Sequence, residues 1–204
     1  MKHYALLCLG DSYTIGEGVP LSENFPYQTL QLLRKGGHHF FAPEIIAKTG
    51  WTTFELAEIL LHHQLNEQYD FVTLLIGVNN QYRGLSAVDF KEDFEFLLRK
   101  ALHYAKQIPQ HVVVVSIPDW EVTPFAKDHN ATQVSTAIDT FNNICKSMAD
   151  QYAVHFIDIT TDQRKDSATA DFLAADLLHP SGKEYAKWAE KIFRVMDNVI
   201  KNNG

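Results

Sequence analysis

Ser12 stands where an apolar run, Tyr4–Leu9, gives way to the turn Gly10-Asp11-Ser12-Tyr13-Thr14. A serine hydroxyl is a weak nucleophile and needs an adjacent base to take its proton. A residue of that kind lies near the other end of the chain. In Asp176-Leu177-Leu178-His179-Pro180-Ser181-Gly182 the carboxylate and the imidazole are three residues apart. His179 can accept the proton, and Asp176 can fix its tautomer and stabilise the imidazolium. Attack on a carbonyl also creates an oxyanion, which needs preorganised hydrogen-bond donors. The backbone N–H groups of Ser12 and Gly50 and the side-chain amide of Asn79 can supply three of them. The chemistry these types point to is acyl transfer.

Each fragment alone has a plainer account. Gly-Asp-Ser after a strand can be only a turn, and Asn79 can be only a turn residue. Asp176 and Pro180 suit the cap and first position of a helix. What joins the fragments is the elements that carry them. Tyr4–Leu9, Glu44–Ala47, Phe71–Ile76, His111–Ile117 and Val154–Ile157 read as strands, three of them apolar on both faces. Helical spacing appears in Thr53–Leu65, in Phe90–Ala101, in Val134–Met148 and in Gly182–Ile200. Ser86 with Asp89 forms a cap signature ahead of the third strand-to-strand crossover helix. Strands alternating with helices predict an α/β fold, a five-stranded parallel sheet between two helical layers, as one domain over residues 1–204. In such sheets sites lie at the carboxyl ends of strands. Ser12, Gly50, Asn79 and the Asp176–His179 pair all follow predicted strands.

With the residues in that order, the chain resembles the SGNH (GDSL-type) hydrolases. The resemblance rests on Gly10–Thr14, Gly50, Gly77–Asn80 and Asp176–Gly182, and it spans nearly the whole chain. It implies a flavodoxin-like three-layer α/β/α sandwich. It also implies Ser12 as nucleophile, His179 as base and Asp176 as its orienting acid, with Ser12, Gly50 and Asn79 forming the oxyanion hole. Three positions depart from the family's usual blocks. Asn80 stands where Asp is common, Tyr13 where Leu is common, and Leu177 where Gly is frequent. The first is expected to alter local hydrogen bonding, the last to bear on the turn between Asp176 and His179. Residue 14 is Thr, so the serine is not in the Gly-x-Ser-x-Gly elbow of α/β-hydrolases.

Asp11 is expected to receive loop N–H groups behind Ser12. Arg83 can reach the site or form a surface ion pair. Two long segments, 118–132 and 160–176, carry Trp120, Phe125 and Phe172, which can line an acyl pocket or plug loops onto the core. With no large apolar cap, a shallow site for acetyl or short-chain esters is expected. The same residues would serve thioesters or lysophospholipids. A rival from another class is a flavodoxin-like module holding a nucleotide or flavin phosphate on the Gly10–Gly18 turn, which leaves Asp176 and His179 unused.

Composition narrows the partners. The 204 residues are 46% hydrophobic, and the net charge of −7 comes with no basic run, which argues against nucleic acid and anionic membrane surfaces. The two cysteines, Cys8 and Cys145, make neither a disulfide framework nor a zinc motif. Adjacent histidines at 38–39 and 62–63 lack a carboxylate at ligand spacing, so neither metal nor organic cofactor is expected. The N-terminal apolar stretch is about six residues, shorter than the ~7–15 of a signal h-region, and no run reaches the ~18 of a membrane span. A cytoplasmic protein acting on a small-molecule ester is the expectation. The amphipathic segment at the C-terminus does not by itself argue for a dimer.

Overall fold

The computed structural model describes residues 2–128, 133–166 and 169–202. Its strands are β1 His3–Tyr4, β2 Leu6–Asp11, β3 His39–Phe40, β4 Glu44–Lys48, β5 Phe71–Leu75, β6 Val112–Val115 and β7 His155–Ile157. Its α-helices are α1 Ser12–Ile15, α2 Phe25–Lys35, α3 Thr53–His62, α4 Val78–Tyr82, α5 Ala87–Tyr104, α6 Val134–Gln151, α7 Thr160–Asp166 and α8 Gly182–Asn202.

Five strands form one parallel sheet in the order β4-β2-β5-β6-β7. Counted along the chain this is 2-1-3-4-5, the flavodoxin-like order, in which a crevice opens beside the first strand where the winding reverses. Every residue of β2, β5 and β6 is buried. That follows from helices covering both faces, with α2 against α8 in one layer and α5 against α3 and α6 in the other. Burying a valine side chain contributes about 1.5–3 kcal/mol, so the run Val112–Val115 makes the middle of the sheet a firm platform. The expected α/β/α architecture is the one found.

Helix starts follow local chemistry. Asn24 caps α2 by accepting from Tyr27 N–H at 2.9 Å, with Pro26 in the first turn. Ser86 caps α5 by accepting from Val88 N–H at 3.0 Å, as its spacing from Asp89 predicts. At the end of β2, Gly10 admits no side chain, because a Cβ would lie 2.1 Å from Thr14 Oγ1 and 2.4 Å from the Leu75 carbonyl oxygen.

Three features differ from the sequence reading. Tyr4 belongs not to β2 but to β1, which pairs with β3 in a separate two-stranded parallel ladder. Helix α2 fills a stretch with no assignment. The segment read as a long loop at 160–176 begins with α7 and contains a 3₁₀ turn at Ala170–Phe172, while residues 167–168 lie outside the described residues. The other segment, 118–132, holds 3₁₀ turns at Trp120–Val122 and Pro124–Asp128, with 129–132 outside the described residues.

Candidate active site

Ser12 begins a single helical turn that is closed at both ends. Asp11 caps it, Oδ1 accepting from Tyr13 N–H at 3.0 Å, and Gly16 ends it with φ of 79°, its N–H returning to the Ser12 carbonyl at 3.1 Å. A φ of that sign is strain for most residues and ordinary for glycine. Asp11 is wholly buried and its Oδ2 has no partner; burial lifts its carboxyl to about 7, against the pull of the N–H groups around it.

The Asp176–His179 segment reaches Ser12 as a tight hairpin. Leu173 bridges Pro180 in antiparallel fashion, and Ala174 N–H donates to the His179 carbonyl at 2.8 Å. Inside the hairpin Asp176 serves two ends. Its Oδ1 accepts from Leu178 N–H at 3.0 Å and His179 N–H at 2.9 Å, and its Oδ2 lies 2.6 Å from His179 Nδ1. Burial pushes this carboxyl up, but the His179 ring and the two backbone N–H groups outweigh it and hold it below the usual carboxylate range. A carboxylate at Nδ1 favours the tautomer protonated there. Nε2, 2.9 Å from Ser12 Oγ, is then the accepting nitrogen. The Tyr13 ring flanks the imidazole at 4.9 Å between centroids.

Gly50 and Asn79 come to the same place from β4 and β5. Gly50, with φ of 81°, is the third residue of a turn closed by Trp51 N–H donating to the Lys48 carbonyl at 3.2 Å. Asn79 donates from Nδ2 to the Trp51 carbonyl at 3.0 Å, which fixes its amide plane and commits one of its two amide hydrogens. Ser12, His179, Gly50 and Asn79 line one cavity of about 200 Å³, together with the apolar or aromatic side chains of Val78, Tyr82, Trp120, Phe125 and Leu178. Trp120 is tied to α4 by Nε1–H donating to Gln81 Oε1 at 2.7 Å, and its ring meets Tyr82 edge-on at 5.3 Å. A larger groove of about 720 Å³ beside Tyr152 holds no nucleophile–base pair, so size does not pick out the site.

The sequence-derived residues divide accordingly. Ser12, Asp176, His179, Gly50 and Asn79 are brought together, and Trp120 and Phe125 line the cavity beside them. Phe172 does not line it; its ring lies under Lys187 Nζ at 4.6 Å, in the 3₁₀ turn next to α8. Arg83 does not line it either, and instead pairs with Glu55 at 2.8 Å and donates to the Gly50 carbonyl. Sequence reasoning missed Tyr82 and Gln81, which carry no signal of their own, and Glu55, which does. Thr52-x-x-Glu55 is a capping-box pattern, and the Glu55 carboxylate accepts from Thr52 N–H at 2.7 Å.

A model of the GDSL-like lipase/acylhydrolase family matches residues 8–187. The chain belongs to this family. A search of curated protein sequences finds no match. Among solved structures, a lipase/acylhydrolase from Enterococcus faecalis superposes with a TM-score of 0.75 at 20% identity, covering 94% of each chain. The acetylxylan esterase Axe2 from Geobacillus stearothermophilus gives 0.74 at 16% identity, covering 94% of this chain and 93% of that one. The psychrotrophic esterase EstA from Pseudoalteromonas sp. gives 0.69 at 14% identity, covering 97% and 99%. At these identities the structures share the fold.

Against the usual GDSL blocks, Asn80 has a local role. Asn80 is buried and serves both ends of Thr53: Oδ1 accepts from its N–H at 3.0 Å and Nδ2 donates to its Oγ1 at 2.7 Å. Thr53 Oγ1 in turn donates to Asp93 Oδ2 at 2.9 Å. Leu177 has φ of 60°, a conformation in which glycine is the unstrained choice. Among the described residues no cluster of three or more His, Cys, Asp or Glu side chains could hold a metal ion, and no helix is long and apolar enough to cross a membrane.

Proposed function

We propose that this single-domain protein is a serine ester hydrolase working through an acyl-enzyme. The observation that carries the reading is the relay from Ser12 Oγ to His179 Nε2, 2.9 Å, and from His179 Nδ1 to Asp176 Oδ2, 2.6 Å. Ser12 Oγ attacks the ester carbonyl while its proton passes to Nε2. The negative charge on the carbonyl oxygen is met by Ser12 N–H, Gly50 N–H and the remaining amide hydrogen of Asn79. The tetrahedral intermediate collapses, the C–O bond breaks, and the departing alkoxide takes the proton from Nε2. Water then repeats the sequence on the acyl-enzyme and restores Ser12. Removing one oxyanion donor, as in Asn79→Ala, lowers turnover by about 10²–10³.

The substrate we favour is a short-chain or acetyl ester of a small molecule. A cavity of about 200 Å³ lined by Trp120 and Phe125 is below the ~300–1,000 Å³ of common ligand pockets. A phosphate-binding role on the Gly10–Gly18 turn is disfavoured by Asp11, whose carboxylate already occupies the α1 N-terminus. Two free, buried thiols suit a reducing compartment such as the cytoplasm. The test is hydrolysis of p-nitrophenyl esters from acetate to decanoate by native protein and Ser12→Ala. The reading expects turnover on the shorter esters that disappears in the variant; equal rates in the two proteins would overturn it.

A further inference from the structure

Gly50 can offer its N–H to an oxyanion only if its turn holds one conformation, and a glycine at φ of 81° has more alternatives than any other residue. The residues around it restrict those alternatives one peptide at a time. The Gly50 carbonyl accepts from Arg83 Nη2, and the Trp51 carbonyl accepts from Asn79 Nδ2 at 3.0 Å. Thr52 N–H donates to Glu55 Oε2 at 2.7 Å, and Thr53 N–H donates to Asn80 Oδ1 at 3.0 Å. Three of the four clamps come from α4 and the residue that ends it. Arg83 N–H closes that helix onto the Asn79 carbonyl at 3.0 Å, so the guanidinium is carried one turn beyond the amide it complements.

Arg83 is itself held. Nη1 lies 2.8 Å from Glu55 Oε1, while the other carboxylate oxygen of Glu55 caps Thr52. The guanidinium therefore spans two acceptors at once, the Gly50 carbonyl and the Glu55 carboxylate, which a rigid fork can do and a single ammonium cannot. It also backs the glycine directly. A Cβ built on Gly50 would have Arg83 Nη2 at 3.8 Å as its one neighbour within 4 Å among the described residues.

We propose that Arg83, braced by Glu55, is a positioning residue of the oxyanion hole. By fixing the Gly50 carbonyl it keeps the turn from swinging the Gly50 N–H away from Ser12. This rests on the ester-hydrolase reading above and extends it to a residue outside the cavity.

The test compares Arg83→Ala, Arg83→Lys and Glu55→Gln with native protein on p-nitrophenyl acetate and its thiono analogue, whose carbonyl oxygen is sulfur and uses the hole poorly. A positioning role predicts that Arg83→Ala lowers kcat on the oxygen ester by about 10- to 100-fold, a fraction of what losing a donor outright costs. KM should stay within about threefold, and the thiono ester should lose markedly less. Glu55→Gln should move the same ratio in the same direction to a smaller extent, and millimolar guanidinium should restore part of the Arg83→Ala rate. Equal losses on both esters, or no loss with only a lower Tm, would overturn the proposal and leave a surface ion pair. Native protein that is inert, or no faster than Ser12→Ala, would instead overturn the reading on which it rests.

Discussion

Asp11 shows how much a single buried residue can carry. It stands between Gly10, which tolerates no side chain, and Ser12, and one of its oxygens is used while the other is unpaired. Burial raises its carboxyl to about 7, above the usual range for an unfolded chain. With the folded value the higher one, the folded state binds the extra proton between about pH 4 and 7, so this group's contribution to stability declines as pH rises through that window. Asp11→Asn keeps an oxygen for Tyr13 N–H and removes the charge. The urea midpoint of the variant, relative to native, should improve steadily from pH 4 to about 7 and then level off. A pH-independent difference would contradict a buried, titrating Asp11. The sequence placed Asp11 behind Ser12 as a receiver of N–H groups; that one oxygen would go unpaired depends on how tightly the turn is covered, which no local pattern encodes.

At the scale of elements, α4 acts as a ruler between the β4 and β5 ends of the sheet. Its Asn80 can donate as well as accept, and both are used at Thr53, which passes a hydrogen bond on to Asp93. Asn80→Asp would face Thr53 Oγ1 with a second carboxylate and no donor. It should cost about 1–3 kcal/mol, and Asp93→Asn in the same chain should recover much of that by restoring one donor and one charge. Purely additive losses in urea unfolding would contradict the coupling. The strands β2, β4, β5, β6 and β7 were legible as short apolar runs, and the helices α3, α5, α6 and α8 by their apolar spacing, whereas α2 was left unassigned although it buries Phe25, Leu30 and Leu33. Helix α7 was not, because Thr160–Asp166 has no apolar stripe. It is held instead by Asp158, which accepts from Thr161 N–H at 3.0 Å, and by Asp162 pairing with Lys165 and Lys191. The β1–β3 ladder has two residues per strand, too few for a period. For Phe172 the sequence leaves pocket and loop open, because aromatic type says nothing about direction, and the Lys187 ammonium over its ring belongs to a helix fifteen residues on.

Over the whole molecule, the proposed function needs one sheet to bring together residues from positions 12, 50, 79, 176 and 179. Their common location was readable only once strands alternating with helices implied a parallel sheet with sites at its carboxyl ends, since no stretch of sequence contains more than two of them. The same sheet holds Cys8 on β2, and α6 holds Cys145, both buried. Burial pushes the Cys8 thiol up to about 12 and raises Cys145 as well. Thiolate is the reactive form, so neither should react with a thiol reagent at pH 8 while the protein is folded. Both should become reactive together along the urea unfolding curve. Fast labelling of one thiol in native protein would contradict a sheet and helix layer that open only cooperatively.

In the proposed mechanism Ser12 Oγ is the atom that bonds to the acyl carbon. The most direct measurement is the intact mass of the protein after a rapid acid quench during turnover of p-nitrophenyl acetate, followed by peptide mapping. One acetyl adduct is expected, mapped to the peptide containing Ser12 and absent from Ser12→Ala. An adduct on any other residue, or steady turnover that survives in Ser12→Ala, would contradict it.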